Sequence, residues 1–180
     1  MPKYLKSFLF PDVNVWVALT FQAHFHHDIA RTWFESLNAK DEARLCFRRI
    51  TQLSFLRLLT TEAVMGKDEV LSQRQAWDVY DRWFEDSRVF FLEEPANLEG
   101  AFRGVSRPSR PAAKDWADSY LLAFAEVADL SVVTFDRALK QKDGAVLLLQ
   151  YDDSDVAVGS CEWTSGLRRR MWHLKSCGMG

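Results

Sequence analysis

An apolar run that stops at a single carboxylate constrains the fold of this chain more than any other stretch. The run from Phe8 to Pro11 is followed at once by Asp12, and a second apolar run extends from Val15 to Leu19. Proline has no N–H to donate to a neighbouring strand, so Pro11 is typical of a strand's end. A strand that turns into a helix after an acid places that acid at the carboxyl edge of a parallel sheet, where ligands bind in open α/β folds. Taken alone, Asp12 could also be a simple helix N-cap.

Composition limits the class of protein. The 180 residues are 48% hydrophobic and 13% aromatic, which indicates one packed domain rather than a disordered chain. The net charge of −2 excludes a polycation, so any contact with nucleic acid must come from a local basic patch. Three scattered cysteines favour reduced thiols over a disulfide framework or a zinc site. No apolar run approaches the ~18 residues of a membrane helix, and we expect a cytoplasmic protein.

Apolar runs and helical periodicities alternate along residues 1–150. After the first strand, four more strands are predicted at 45–50, 89–92, 130–135 and 145–149. Apolar stripes at helical spacing predict helices between them, among which are 52–61 with Thr51 as its cap, 69–86, 97–105 and 115–129. This alternation predicts a parallel sheet covered by helices on both faces. Residues 151–180, acidic at first and then basic, fit no element of this core, and we expect a tail or an appended helix there.

Three further acids lie close to the predicted edge of the sheet. Asp136 follows the fourth strand, Asp118 lies in the first turn of the helix that leads to that strand, and Asp115 lies three residues earlier on the same helical face. Each acid alone could cap a turn or interact with a helix dipole. Together with Asp12 they would repel one another unless a cation neutralised them. Mg²⁺ and Mn²⁺ prefer such oxygen ligands and bridge to phosphate oxygens, so the constellation indicates phosphodiester hydrolysis.

Several segments resemble a known family in their order and spacing. They are Pro11 to Leu19, His26-His27 with Ala30, Trp33 and Phe34, Ile50 to Thr60, Ala117 to Ala125, and Val133 to Asp136. Over about residues 5–150 the chain resembles the PIN-domain ribonucleases, and among them the VapC-type toxins of bacterial toxin–antitoxin pairs. The resemblance implies a three-layer α/β/α sandwich with a central parallel sheet, so residues 1–150 are predicted to form a PIN-like nuclease domain.

The resemblance also implies a function and a set of site residues. It implies a Mg²⁺-dependent (or Mn²⁺-dependent) endoribonuclease, with Asp12, Asp118 and Asp136 as its metal-binding catalytic acids. Where the family usually has a glutamate, this chain has Gln52, which can ligate a metal or orient water but carries no charge. Asp115 is a fourth candidate ligand that would compensate. The implied partners are RNA, a cognate VapB-type antitoxin and a second copy of the chain in a homodimer.

Basic residues upstream of the helix predicted at 115–129 are candidates for holding RNA. Arg103, Arg107, Arg110 and Lys114 have no acid between them, and they either bind phosphates or belong to a solvated loop. Further candidates near the predicted edge are Arg48, Arg49, Arg57 and Arg137. The tryptophans fall largely on helical stripes, so we expect them to pack in the core rather than to stack on bases.

Two alternative functions stay open on the sequence alone. The uncharged Gln52 fits a catalytically degenerate PIN-like module that binds RNA or a protein without cutting. A phosphatase of the haloacid-dehalogenase type also begins with an acid at a strand end. It needs a second aspartate two residues on, where this chain has Asn14, so we rank it below the other two.

Overall fold

A five-stranded parallel sheet organises the part of the chain that the structure describes. The structure is a computed structural model, and it describes residues 8–37, 43–107, 111–113, 115–142 and 144–150. The strands are β1 (Phe8–Pro11), β2 (Arg44–Phe47), β3 (Val89–Phe91), β4 (Ser131–Thr134) and β5 (Val146–Leu148). Their order in the sheet is β3-β2-β1-β4-β5, and every neighbouring pair is parallel. The predicted tail at 151–180 lies outside the described residues.

Eight helices accompany the strands within these described ranges. They are α1 (Val13–Thr20), α2 (His27–Ser36), α3 (Arg49–Leu59), α4 (Glu62–Met65), α5 (Gln73–Trp83), α6 (Leu98–Val105), α7 (Asp115–Val127) and α8 (Arg137–Lys140). None of these helices combines the length and the apolar character that a membrane crossing would need.

Two cores, one on each face of the sheet, make the fold a three-layer sandwich. Successive residues of a strand point to opposite faces, and accordingly Leu9 belongs to one buried cluster and Phe10 to the other. The first cluster contains Trp16, which is fully buried and stacks on Phe47 with ring centroids 3.9 Å apart. In the second cluster, Phe124 meets Phe10 edge to face at 5.5 Å. The predicted α/β/α sandwich with a central parallel sheet is therefore confirmed.

The helix expected at 52–61 begins earlier in the structure, at Arg49. Thr51 was predicted to be its cap, and instead acts from inside the first turn. The Thr51 Oγ1 accepts a hydrogen bond from the backbone N–H of Arg48, the N-cap residue, at 2.9 Å. Threonine can satisfy a helix terminus from either side of the cap, and the sequence alone does not say which.

The helix expected at 69–86 is shorter than predicted. It begins at Gln73, after the N-cap Ser72, and a separate turn of helix precedes it. Ser72 and Gln75 form a capping box, in which the Ser72 N–H donates to Gln75 Oε1 at 2.9 Å and the Gln75 N–H donates to Ser72 Oγ at 3.3 Å. These two bonds satisfy N–H groups at the start of the helix, so the helix begins later than its apolar pattern indicates.

The strand order places β1 beside β4 at the centre of the sheet, although the two are far apart in sequence. From β1 the sheet extends one way to β2 and β3 and the other way to β4 and β5. In α/β sheets a crevice opens at such a reversal, outside the carboxyl ends of the strands. The backbone N–H of Asp12 donates to the carbonyl of Val133 at 2.8 Å. The residues that follow β1 and β4 therefore meet at this edge.

Candidate functional site

Asp12 occupies the turn between β1 and α1. It is the N-cap of α1, and its Oδ1 accepts a hydrogen bond from the Val13 N–H at 2.6 Å. Its Oδ2 accepts from the hydroxyl of Thr134, the last residue of β4, at 3.1 Å. The two readings of Asp12 from the sequence, a cap and an acid at the sheet edge, are therefore both true. One carboxylate oxygen caps the helix while the other joins a network across the sheet.

Thr134 connects this network, a role that the sequence did not suggest. Its side chain is fully buried, and its Oγ1 donates to Asp12 while accepting from Asn14 Nδ2 at 3.2 Å and from the Asp136 N–H at 3.0 Å. A hydroxyl has one hydrogen to donate and two lone pairs, so these three bonds use its full capacity. The only signal in the sequence was a small hydroxyl residue at a strand's end, two positions before an acid.

Asp136 follows β4 and is the N-cap of the short helix α8. Its Oδ1 accepts from the Ala138 N–H at 2.7 Å, and its own N–H is held by Thr134. The backbone and the side chain of Asp136 are thus both fixed by hydrogen bonds. Two of the three predicted acids, Asp12 and Asp136, are linked through a single buried hydroxyl.

Asp118 and Asp115 lie in the first turn of α7 and share one cation. Lys142 Nζ lies 2.8 Å from Asp118 Oδ2 and 3.4 Å from Asp115 Oδ1, and the three side chains are between 24% and 31% exposed. Partial burial lowers the pKa of Lys142, but the hydrogen bond and negative charge of Asp118, helped by Asp115, more than offset it, so the pKa is raised. Sequence reasoning missed Lys142, because no local pattern links it to acids 24 and 27 residues earlier.

Burial and like charge act together on Asp12. Burial raises the pKa of its carboxyl above the ordinary value of 3.8, hydrogen bonds from Val13 and Thr134 oppose that rise, and the negative charges of Asp118 and Asp136 add to it. The charges of both acids therefore reach Asp12. Asp118 and Asp136 are near enough for their negative charges to add to the rise in the pKa of Asp12.

The side chains at this edge have carboxylate and amide oxygens, which are the ligands that a hard divalent cation prefers. Asn14 Oδ1 adds another oxygen, because it is buried and has no hydrogen-bond partner within the described residues. No group of three or more His, Cys, Asp or Glu side chains in the described ranges is already placed to hold a metal ion, and Asp118 bonds to Lys142 instead. The donor types fit a divalent metal, while the arrangement is not a preformed metal cage.

Gln52 is buried in α3, and its side chain bonds to Arg49 and Tyr80 rather than to the acids. Arg49 Nη1 donates to its Oε1, and its side chain also hydrogen-bonds to Tyr80 of α5. Burial raises the pKa of the Tyr80 hydroxyl, and the bond with Gln52 partly offsets that rise. These contacts join α3 to α5, and the predicted part of Gln52 in catalysis stays a prediction.

The basic candidates differ in their access to solvent. Arg48 is 1% exposed, its guanidinium lies 3.4 Å from the centre of the Phe124 ring, and Nη1 donates to the Leu92 carbonyl, so its prediction as an RNA contact is wrong. Arg103 and Arg107 are exposed, and Arg103 pairs with Glu99. The other exposed candidates are Arg49, Arg57 and Arg137. Arg110 and Lys114 lie outside the described residues.

Comparison with known proteins identifies relatives in sequence. A family model described as the PIN domain matches residues 9–145. Ribonuclease VapC41 of Mycobacterium tuberculosis is 38% identical over 141 residues, which span 77% of this chain and 95% of that relative.

Solved structures give a similar result for the fold. VapBC2 from Rickettsia felis, solved bound to a DNA fragment from the promoter, matches with a TM-score of 0.58 and 13% identity, over 79% of this chain and 99% of that one. VapC20 of Mycobacterium tuberculosis, described as a toxin that cleaves the sarcin–ricin loop, matches with a TM-score of 0.54 and 16% identity, over 73% of this chain and 92% of that one. At these identities the likeness is one of fold.

Proposed function

This chain belongs to the PIN-domain family, and from that premise we propose that it is a metal-dependent endoribonuclease and the toxin of a VapBC-type toxin–antitoxin pair. The family predicted from the sequence is confirmed by the match over residues 9–145 and by the 38% identity to a ribonuclease. The family also implies dependence on a divalent metal. We propose Mg²⁺, with Mn²⁺ as the alternative, because the donors are carboxylate and amide oxygens.

The single observation that carries the proposal is the network at the ends of β1 and β4. Asp12 and Asp136 are held by one buried hydroxyl, that of Thr134, and the charges of Asp118 and Asp136 both act on Asp12. Repulsion of this kind is unfavourable for the fold alone. It is useful where a cation must be bound beside a phosphodiester.

We assign the metal to Asp12, Asp118 and Asp136, with Asp115 as a further ligand. A divalent cation bound there would polarise the scissile phosphate, lower the pKa of an attacking water and stabilise the leaving oxygen. The protein's own part is to orient the acids: Thr134 fixes Asp12 and the backbone of Asp136, and the Ala138 N–H fixes the Asp136 carboxylate. Hydrogen bonds of this kind to a metal-binding side chain fix the orientation of that side chain.

Lys142 pairs with the helix-borne part of the site. Its ammonium bonds to Asp118 and Asp115 and so offsets part of their negative charge. For Asp118 to become a ligand, this ion pair has to open or to share its carboxylate. A partly exposed pair is weak, of the order of 1 kcal/mol or less, and a divalent ion can displace it.

Gln52 is the remaining predicted catalytic residue. We propose that it acts at most in the second coordination shell, by orienting water, because its amide oxygen already accepts a bond from Arg49. A Gln52→Ala variant would then lose less activity than a variant of Asp12.

The remaining predictions concern partners and place. We propose RNA as substrate, a VapB-type antitoxin as partner, a homodimer as the assembly and the cytoplasm as the site of action. Phosphate contacts would come from Arg103, Arg107, Arg110 and Lys114. We also propose that residues 1–150 form the nuclease domain and that 151–180 form an appended tail or helix.

The test is cleavage of total bacterial RNA by the purified protein with Mg²⁺ and, separately, with Mn²⁺. We expect fragments with either metal, none after chelation, and none from an Asp136→Asn variant that melts at a similar temperature. Asp81→Asn, at an exposed acid of α5, is the matched control and should cut like the wild type.

Two results would refute the proposal. Cleavage that persists with chelator, or in Asp136→Asn at the wild-type rate, would remove the metal site from the mechanism. Binding of RNA without cleavage in any divalent metal would favour the alternative prediction, a degenerate PIN-like binding module.

A further inference from the structure

An exposed tryptophan lines a surface cavity between α6 and α7. Trp116 keeps 58% of its surface exposed, so its sequence-based placement on a buried stripe is wrong. Its ring meets Phe102 edge to face, with centroids 6.1 Å apart, and Phe102 in turn meets Tyr120 at 5.8 Å. The cavity measures about 330 Å³, and its walls are Glu99, Phe102, Arg103, Ser106, Arg107 and Trp116.

The charges on the cavity wall suit a phosphate. Two arginines and one glutamate line it, which leaves the wall net positive. Arg103 is paired with Glu99 one helical turn away, but both side chains are well exposed, at 65% and 73%. Such an exposed pair is worth little, so Arg103 can exchange its partner for a phosphate. Arg107 is also exposed.

Trp116 shares its helix turn with two of the acids. Trp116 lies between Asp115 and Asp118 in the first turn of α7. Residues two positions apart on an α-helix are separated by about 200° around its axis, so Trp116 and Asp118 lie on opposite sides of a helix that is about 10–12 Å wide with its side chains. An RNA strand bound at the acids therefore has to pass around this turn before a further nucleotide reaches the Trp116 ring.

We propose that this cavity is a base-stacking subsite for an unpaired nucleotide of the RNA, beyond the nucleotides that flank the scissile bond. Trp116 supplies the flat platform, Phe102 supports the ring from the side, and Arg107 and Arg103 hold the adjoining phosphate. Aromatic platforms flanked by cations are a recurring way to hold single-stranded nucleic acid without reading its sequence. This inference rests on the proposed ribonuclease function and adds to it a subsite on α6 and α7, away from the acids.

The test measures binding without cleavage. An Asp136→Asn background in chelator is titrated with a fluorescent ten-nucleotide single-stranded RNA, and with the same RNA carrying abasic positions. Trp116→Ala should weaken binding of the intact RNA roughly 5- to 150-fold, the range expected for one stacked base, while Trp116→Phe keeps most of the affinity. Neither change should alter binding of the abasic RNA.

Trp77→Ala is the matched control, since Trp77 is also exposed, at 45%, but lies on α5. It should bind both RNAs like the background protein, and melting curves should show that all variants are folded. The subsite is overturned if Trp116→Ala binds intact RNA normally, if it weakens intact and abasic RNA equally, or if no RNA binding is measurable.

The subsite is also overturned if Trp116→Ala spares RNA binding but prevents inhibition by a protein antitoxin, because the cavity then accepts a protein segment. Cleavage assays separate this failure from failure of the proposed function. A wild type that cuts RNA with Mg²⁺ while Trp116 has no effect refutes the subsite alone. A wild type that cuts no RNA with any divalent metal refutes the function.

Discussion

The acidic site has two halves that are stabilised in different ways. At the strand edge, Asp12 and Asp136 are fixed by uncharged donors, namely the Thr134 hydroxyl and two backbone N–H groups. On the helix, Asp118 and Asp115 are held by the ammonium of Lys142. The first pair of acids is therefore held by neutral groups, whereas the second is held by a positive charge that offsets part of its own.

The difference shows two ways in which a fold can keep mutually repelling acids close together. Neutral hydrogen bonds orient a carboxylate but leave most of its charge for a cation. An ion pair lowers the repulsion but has to be exchanged. If every acid were paired with a lysine, a cation would have to displace a lysine at each of them. If none were paired, the carboxylates would repel one another at full strength in the fold.

The largest expected effect is the difference in lost activity between a variant of Asp12, at the strand edge, and a variant of Asp115, on the helix. Asp12→Asn should reduce kcat about 10³-fold, because loss of a proposed metal ligand would remove several kcal/mol of transition-state stabilisation. Asp115→Asn should cost about tenfold at most, since its contact with Lys142 is the longer one, at 3.4 Å. Single-turnover cleavage of one RNA measures both. Equal losses would show that the two halves are not distinct.

The next effect tests the neutral half through Thr134. Thr134→Val keeps the shape of the side chain but removes its hydroxyl, so Asp12, Asn14 and the Asp136 N–H each lose a partner. We expect a 10- to 100-fold loss of cleavage, the usual cost of an outer-shell partner, and about 1–3 kcal/mol lower unfolding free energy. Thr134→Ser retains the hydroxyl and should recover most of both. A fully active Thr134→Val would contradict the network.

A smaller effect tests the charged half through Lys142. Lys142→Met removes the competing cation, so Mn²⁺ should bind up to about fivefold more tightly, which corresponds to about 1 kcal/mol for a partly exposed pair. The readout is Mn²⁺ affinity by calorimetry, which does not depend on turnover. Lys140→Met is the matched control, because it removes the same charge from α8, where Lys140 donates to the Val146 carbonyl. Weaker Mn²⁺ binding in Lys142→Met would mean that Lys142 assists the metal.

The smallest effect concerns pH. The pKa of Asp12 is raised by burial, so as the pH falls this acid takes up a proton in the folded protein before it would in the unfolded chain, above the ordinary value of 3.8. Protonation relieves the repulsion among the acids and would remove a proposed metal ligand. The rise in Tm on adding metal at tenfold excess over Kd, about 3–6 °C at pH 7, should therefore begin to fall at a higher pH than it would if the pKa of Asp12 had its ordinary value.

The Lys142→Met variant serves as a control for the pH effect as well. Its metal-induced rise in Tm should fall over the same pH range as that of the wild type, because the titrating group lies in the other half of the site. A shift of that range by more than half a pH unit would show that the two halves are coupled more strongly than their contacts indicate.

The sequence predicted those features that depend on local order along the chain. The apolar runs located all five strands, and Pro11 marked the end of the first one, so Asp12 could be placed at the sheet edge. It did not identify Thr134 or Lys142, because their roles depend on which side chains meet across long stretches of chain. A threonine in a strand and a lysine after a helix are both ordinary residues until their partners are known.

Trp116 and Arg48 show the opposite errors of pattern-based reasoning. Helical spacing of apolar residues predicts that each of them is buried. In α7, however, residues 121–125 are the ones that pack into the core, and Trp116, at the start of the helix, is exposed to solvent. Charge assigns an arginine to the surface, yet Arg48 is buried on an aromatic ring. In both cases the burial of the side chain depends on which elements pack beside it, and the sequence close to the residue does not show this.

The hydrogen bond between Thr134 and Asp12 spans 122 residues of sequence. A ribosome that has synthesised only the first hundred residues has made β1, β2 and β3 but not the strand that completes the edge. Contacts of such large sequence separation form late and slowly compared with local ones. The candidate site therefore cannot be complete before β4 and Asp136 have been synthesised.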